Sequence, residues 1–392
     1  MKDKKNPKLK IFIISGEASG DVLGAKIIRS FLRRNRFSRP HHVEFRGIGG
    51  MNMKNAGLKK SLFPIEDLSV MGFTAVLMRA RTLLRRIRET VAAINEWRPD
   101  IVLTIDSPGF AKAVASRLHG CESRPKLFHF VAPQVWAWRP GRAKKFAKLF
   151  DRLYCFFDFE VPYFTRYGLP TIPVGHPVAD GEIKEAMPGI FRKRYHIARG
   201  RKIVAMMPGS RMNEIENLLP LMKSVADKWS GHQIVIPGAD TVRKKIKAMT
   251  HDWKNKPLVI MPKDRYILFR DANVAVAASG TVTVELAILH TPAVVVYKTN
   301  FLTYLLYKLL IRVKYISLVN IISGKEIYPE LLQHKAAPDN VFRAADDLIK
   351  HKKSRTKMVE QLKAEDKIWS RGGHPASDLI KNDILKTIRN KK

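Results

Sequence analysis

Short apolar runs recur along the chain, and several are separated by stretches whose apolar residues repeat at helical spacing. Runs at 10–14, 43–48, 101–105, 126–130, 153–156 and 172–174 predict one series of buried strands. Runs at 202–207, 233–236, 258–261, 274–278 and 293–297 predict a second series. Residues 82–97 and 214–229 carry the clearest helical spacing between them. Strands alternating with helices predict parallel sheets covered by helices on both faces. The polar stretch at 179–201, with Gly181, Pro188 and Gly189, has no strand pattern and divides the two series. The expected fold class is therefore α/β, with two Rossmann-like doubly wound domains facing a cleft. The first spans 1–180 and the second begins at 181. Ligands of such sheets sit at the carboxyl ends of the strands.

Composition narrows the class. A chain of 392 residues has room for two domains, and 45% apolar content is ordinary for a globular protein. The two cysteines, Cys121 and Cys155, have neither metal-site nor redox-motif spacing, which suits a reducing compartment. The apolar run after the lysine-rich first ten residues is too short for a secretory signal. No run approaches the roughly 20 apolar residues of a membrane span, so the expected location is cytoplasmic. A net charge of +36 favours polyanionic partners: nucleic acid, anionic lipid or phosphorylated substrates. No zinc-finger, RRM or KH pattern occurs, so nucleic acid is not an expected partner.

The strand ends supply the candidate chemistry. The first strand runs into Ser15-Gly-Glu-Ala-Ser-Gly-Asp21, followed by Gly24. Phosphate loops carry Lys-Ser/Thr or G-x-G-x-x-G, whereas this loop offers Glu17 and Asp21. It is either a tight capped turn or the acidic wall of a site. The strand at 101–105 ends at Asp106-Ser-Pro-Gly109, where Asp106 fits a general base, a helix cap or a turn residue. The irregular Ala132-Pro-Gln-Val-Trp-Ala-Trp-Arg139 lines a cleft or packs over one. In the second half, Pro208-Gly-Ser210-Arg211 precedes a helix, and its N–H groups and forked cation suit a pyrophosphate. Ser279-Gly280-Thr281 repeats that arrangement after 274–278, with Glu285 further along the helix. Glu285 can accept ribose hydroxyls, or it complements the helix dipole.

Two segments suit an anionic membrane face. Met71, Phe73 and Val76 precede Arg79, Arg81, Arg85, Arg86 and Arg88, and 301–313 is a second apolar run with Lys308 and Arg312. A core helix with a charged solvent face gives the same pattern.

Several of these motifs occur together, in order, in one family. The chain resembles the lipid-A-disaccharide synthases, glycosyltransferases of the GT-B architecture. The resemblance rests on the Ser15–Asp21 motif, Ile105-Asp-Ser-Pro-Gly-Phe110, Val131-Ala-Pro-Gln-Val-Trp-Ala-Trp-Arg139 and Val174-Gly-His-Pro177. It continues through Pro208-Gly-Ser-Arg211 with Glu214, Ala278-Ser-Gly-Thr281 with Glu285, Tyr315-Ile-Ser-Leu-Val-Asn320 with Gly324, and Pro329-Glu-Leu-Leu-Gln333.

The resemblance implies inverting transfer of 2,3-diacylglucosamine from its UDP derivative to the 6-hydroxyl of 2,3-diacylglucosamine 1-phosphate. The products would be UDP and a β(1→6) disaccharide 1-phosphate, made at the anionic inner face of the cytoplasmic membrane. It implies no metal or other cofactor, and no His/Asp cluster here has ligand spacing. Asp106 matches the base candidate, with His176 as the alternative, and Glu17 matches an important acidic position. Arg211 would meet the pyrophosphate with Ser210, while Ser279, Gly280 and Thr281 would hold phosphate and Glu285 the ribose; Asn320 matches a polar motif position and counts with these substrate-binding residues. By GT-B analogy the second domain would end near 364 and residues 365–392 would return to the first, where 378–388 has suitable apolar spacing. Gly109 stands where some members carry a second aspartate, and Val319 where many carry proline. The other readings are a GT-B transferase or UDP-sugar epimerase with a soluble substrate, and a charge-driven nucleic-acid binder.

Overall fold

The computed structural model describes residues 9–33, 43–68, 80–120, 123–137, 139–238, 242–299 and 313–389. The strands are β1 (Leu9–Ser15), β2 (Val43–Ile48), β3 (Ile101–Ile105), β4 (Lys126–Phe130), β5 (Arg152–Cys155) and β6 (Thr171–Pro173). They continue as β7 (Ile203–Met207), β8 (Gln233–Pro237), β9 (Leu258–Ile260), β10 (Val274–Ala278), β11 (Ala293–Tyr297) and β12 (Glu330–Leu332). The helices that position functional groups are α1 (Ala18–Leu32), α2 (Met51–Ala56), α3 (Ala80–Trp97), α4 (Pro108–Leu118) and α5 (Arg142–Ala147). Further along are α6 (Met212–Ala226), α7 (Arg265–Asp271), α8 (Thr281–Ile288), α9 (Leu318–Ser323) and α10 (Ala376–Arg389). The chain divides into two compact units, Met1–Pro177 with Gly373–Lys392, and Val178–Gly372.

In the first unit six parallel strands lie in the order β2-β1-β3-β4-β5-β6. Alternate residues of β1 point to opposite faces. Ile11 and Ile13 join Ala25, Ile28 and Phe31 of α1 and Ile380 and Ile384 of α10. Phe12 and Ile14 join Ile94 and Trp97 of α3, Val114 and Leu118 of α4, and Phe146 of α5. Both faces are covered, which is why the strands read as continuous apolar runs. Burying Ile380 and Ile384 contributes about 1.5–3 kcal/mol each. Polar contacts fix the register of α10: Tyr154 Oη donates to Asp383 Oδ2 at 2.7 Å, and Arg152 pairs with Asp383 at 3.3 Å.

In the second unit six parallel strands lie in the order β12-β11-β10-β7-β8-β9. All residues of β7 and β10, the central pair, are buried. The periodicity places the other strands within a residue or two, but it does not reveal β12. That strand is three half-buried residues on the sheet edge, too short for either an apolar run or an alternation.

Candidate active site

Each sheet reverses its winding direction once, and the sequence-marked loops lie at both reversals. In the first sheet the chain winds outward from β1 to β2 and, on the other side, from β3 to β6. The loops leaving β1 and β3 therefore diverge and open a crevice at the carboxyl ends. In the second sheet the reversal lies between β7 and β10. The loops leaving those strands are 208–211 and 279–281.

At the first reversal the two loops touch. A Cβ on Gly16 would lie 2.0 Å from Ser107 Oγ and 2.4 Å from Ser107 Cβ. Glu17, half-buried, is the N-cap residue of α1. Asp106 and Ser107 both hold left-handed backbone, φ 56° and 44°, before Pro108 starts α4. Non-glycine residues in that region cost roughly 1–3 kcal/mol each, and such strain concentrates at functional sites. Asp106 Oδ1 accepts the Ser107 N–H at 2.8 Å, and the Asp106 N–H donates to the Phe130 carbonyl at 3.0 Å. Among the described residues Oδ2 has no hydrogen-bond partner, so it offers lone pairs to a ligand. The helix-cap alternative loses its basis, since no α4 N–H bonds to this side chain.

Asp21 corrects the reading of an acidic wall with two members. It is buried, and its carboxylate accepts N–H groups of Gly50 (2.7 Å), Asn52 (2.9 Å) and Met53 (3.1 Å). It caps α2, so its charge complements that helix's positive end instead of facing a substrate. His176 is buried against Phe156 and Phe157, with ring centroids 4.6 and 5.9 Å away. Burial, helped by the Lys26 charge, pushes its pKa down to about 4. Lys26 itself donates to the Pro177 carbonyl at 2.9 Å.

At the second reversal Gly209 takes φ 110°, a conformation that favours glycine. A Cβ there would also lie 2.2 Å from Glu214 Oε2. Glu214 accepts the N–H groups of Ser210 (3.0 Å) and Arg211 (3.3 Å) on Oε2 and Arg211 Nη1 (3.0 Å) on Oε1. Its carboxylate therefore engages the donors that suit a phosphate. The Arg211 side chain is 67% exposed, so this pair contributes little to stability. Tyr297 stands beside both charges, and burial is the main cause of its raised pKa.

Around Gly280 there is open space: a Cβ placed there meets nothing within 4 Å. Thr281 is exposed at the first position of α8. The Ser279 hydroxyl donates to the Ile316 carbonyl at 2.8 Å, so its hydrogen is used within the protein. Glu285 lies beyond the first turn of α8, which removes the helix-dipole role. Arg265 grips it with Nε on Oε2 at 3.1 Å and Nη2 on Oε1 at 3.2 Å, and Tyr266 Oη donates to Oε1 at 3.3 Å. Burial and the Glu285 charge push the Tyr266 hydroxyl up.

Asn320 is fully buried and saturated. Nδ2 donates to Tyr328 O (2.7 Å) and Glu330 Oε1 (2.8 Å), while Oδ1 accepts from Ile327 N (2.9 Å) and Tyr328 N (3.0 Å). The side chain thus organises the loop between α9 and β12, and the expected direct ligand contact has no polar atom left to make it. Glu330 completes this knot by accepting the Ile316 and Ser317 N–H groups at 2.8 and 2.9 Å. Arg265 and Tyr266 carried no sequence signal, because their partner Glu285 lies about 20 residues away, and Glu330 was visible only as part of the 329–333 motif, without its partner Asn320.

On α3, Arg81, Arg85 and Arg88 are exposed and share one face with Leu84, itself 43% exposed. Arg86 departs from the membrane-facing set. It bonds Asp67 and Glu89, lies over the Phe63 ring and is held charged chiefly by Glu89. Met71, Phe73, Arg79, Cys121, Trp138 and the second apolar run up to Arg312 lie outside the described residues. No described helix is long and apolar enough to cross a membrane.

Comparison with solved structures agrees with this architecture. UDP-GlcNAc 2-epimerase from Neisseria meningitidis aligns with a TM-score of 0.65 at 14% identity, covering 96% of this chain and 100% of that one. Acinetobacter baumannii MurG aligns with a TM-score of 0.56 at 13% identity, over 96% and 100%. At such identities the likeness is one of fold: two parallel six-stranded α/β units of the GT-B kind. Sequence comparison is more specific. The lipid-A-disaccharide synthase of Rhodospirillum centenum is 38% identical over 97% of this chain and 95% of its own length. That of Gluconobacter oxydans is 35% identical over 97% and 92%, and that of Rickettsia akari 33% over 96% and 97%. With residues 11–378 also matching the family described as lipid-A-disaccharide synthetase, this chain belongs to the lipid-A-disaccharide synthase family of UDP-dependent glycosyltransferases.

Proposed function

We propose that the chain transfers 2,3-diacylglucosamine from its UDP derivative to the 6-hydroxyl of 2,3-diacylglucosamine 1-phosphate. In the first unit Asp106 takes the hydroxyl proton through its open Oδ2 as the oxygen attacks the donor C1. Glu17, on the adjoining loop, orients sugar hydroxyls. His176 is buried against Phe156 and Phe157, where a substrate hydroxyl reaches it less readily than the half-buried Asp106. In the second unit the Ser210 and Arg211 N–H groups, the Arg211 guanidinium and the Gly280–Thr281 loop hold the diphosphate. Glu214 turns aside as they do so. Arg211 then balances the charge that grows on the leaving UDP. Glu285, aimed by Arg265, accepts the ribose hydroxyls. The reaction uses no metal or other cofactor in this reading.

The observation that carries the proposal is the placement of the marked loops at both winding reversals, on a chain of this family. Both substrates are acylated, so the enzyme works at the anionic inner face of the cytoplasmic membrane, with Arg81, Leu84, Arg85 and Arg88 toward lipid. Incubation with both acylated substrates, followed by mass spectrometry, should show the disaccharide 1-phosphate and UDP. Turnover of plain UDP-N-acetylglucosamine with no disaccharide would replace this reading with an epimerase.

A further inference from the structure

Val131, immediately after β4, holds φ 78°. For a β-branched residue that is a genuine outlier, and it starts the Pro- and Trp-rich loop at 132–139. Beneath it His129 is wholly buried, with Nε2 3.1 Å from the Val131 carbonyl and Nδ1 2.6 Å from Thr104 Oγ1. A carbonyl only accepts, so Nε2 carries the hydrogen. Nδ1 then presents a lone pair, to which the Thr104 hydroxyl donates. The Phe128 carbonyl is also within reach of Thr104, at 3.2 Å, but one hydroxyl hydrogen serves the shorter contact. Phe146 and Phe150 enclose the ring at 4.9 and 5.4 Å between centroids. Burial pushes the imidazole pKa down to about 3, so it is a fixed neutral donor at working pH.

The same bonds lead to the proposed base. Thr104 pairs with His129 and Ile105 with Phe130 across β3 and β4. The Phe130 carbonyl accepts the Asp106 N–H at 3.0 Å, and the Val131 N–H donates to the Tyr154 carbonyl at 3.1 Å. The Tyr154 carbonyl therefore holds the far side of the peptide from which the Asp106 backbone hangs, and His129 holds the next peptide along, across the strained Val131.

We propose that His129 and Thr104 are positioning residues for sugar transfer, fixing the Val131 turn and, through it, residues 132–137 and the backbone of Asp106. The inference rests on the reading of Asp106 as the base. Neither residue has been assigned a chemical step, and neither needs to touch substrate.

Steady-state kinetics on the full chain tests it. His129→Phe keeps an aromatic ring beside Phe146 and Phe150 and deletes both bonds. It should lower kcat by about 10–100-fold and leave UDP affinity within about twofold. His129→Gln returns an amide N–H near the Nε2 position and should recover most of the loss. Thr104→Val, nearly isosteric, should lower kcat by about three- to tenfold and UDP affinity by less than about twofold, with a melting temperature a few degrees lower because the buried His129 Nδ1 loses its donor. A folded His129→Phe variant with parental kcat overturns the proposal. A Gln variant no better than Phe does the same, because the loss is then one of packing. If His129→Phe does not fold, Thr104→Val decides, and parental kcat in that variant rejects the idea. Asp106→Asn separates the two layers. Full activity there removes the base and leaves His129 to be judged on the Gln rescue. A His129→Phe loss that multiplies fully in the Asp106→Asn background sinks the link to Asp106.

Discussion

At the carboxyl edge of the first sheet the reversal is lined by Glu17, Asp106 and Ser107, with non-glycine residues forced into left-handed backbone. At the second sheet the same topological position carries Gly209, Gly280, a hydroxyl, N–H groups and Arg211. Its carboxylates are answered by arginine: Glu214 by Arg211, Glu285 by Arg265. One scaffold thus carries two chemically different edges. The first edge holds a carboxylate with an open oxygen on a strained turn, suited to a reacting group. The second holds donors whose charge is balanced within the protein by Glu214, whose place a diphosphate would take under the proposed function.

If that contrast is right, variants at the two edges should fail differently. Asp106→Asn should lower kcat by about 10³-fold while UDP affinity, measured by calorimetry, stays near parental. An equal loss of UDP affinity would erase the division. Replacing Arg81, Arg85 and Arg88 by Gln should weaken binding to anionic vesicles by about 100-fold at low salt, at about 1 kcal/mol per cation. Turnover on detergent-dispersed substrates should hardly change, and undiminished vesicle binding would move the surface elsewhere. Arg211→Ala should raise the Kd for UDP about tenfold with no loss of melting temperature, given its exposure. Unchanged affinity would place the pyrophosphate on other groups.

The smallest effect is on stability against pH. His129 and His176, pushed to about 3 and about 4 by burial, stay neutral in the folded chain, whereas unfolded histidines charge near 6.5. Their contribution is present above 6.5 and is lost as pH falls below it. Glu160, pushed up to about 7 by burial, acts with the opposite sign. Its contribution is present below its ordinary 4.5 and is lost as pH rises through 7. Melting temperature should therefore fall on acidification from pH 6.5 to 5, less steeply in His129→Gln and more steeply in Glu160→Gln. Parallel curves for all three proteins would mean that these groups do not set the profile.

Much of this plan was legible before any coordinates. Buried parallel strands advertise themselves as apolar runs, and their carboxyl-end loops as Gly, Ser and Asp punctuation, so the four loops could be marked from the chain alone. What pairs with what could not be. Asp21 was visible as an acid near a loop, but its use as a cap for α2 depends on where residues 50–53 arrive. Arg86 looked like one more surface cation until Asp67 came into reach. Asn320 was legible as a motif residue, though its saturation by Tyr328 and Glu330 was not. The left-handed backbone at Asp106, Ser107 and Val131 had no glycine to announce it. It is imposed by tertiary bonds, which local propensity does not contain.

The contact between Gly16 and Ser107 has a consequence for how this protein can change. Any side chain at 16 drives into Ser107, whose Cβ is as much in the way as its hydroxyl. Replacement at 16 becomes tolerable only where 107 has first become glycine, and that step would relax the turn holding Asp106. A mutational path through this pair thus crosses an intermediate with a loosened turn at Asp106. Random libraries spanning both codons should return them as one inherited unit, even though 91 positions separate them in the gene.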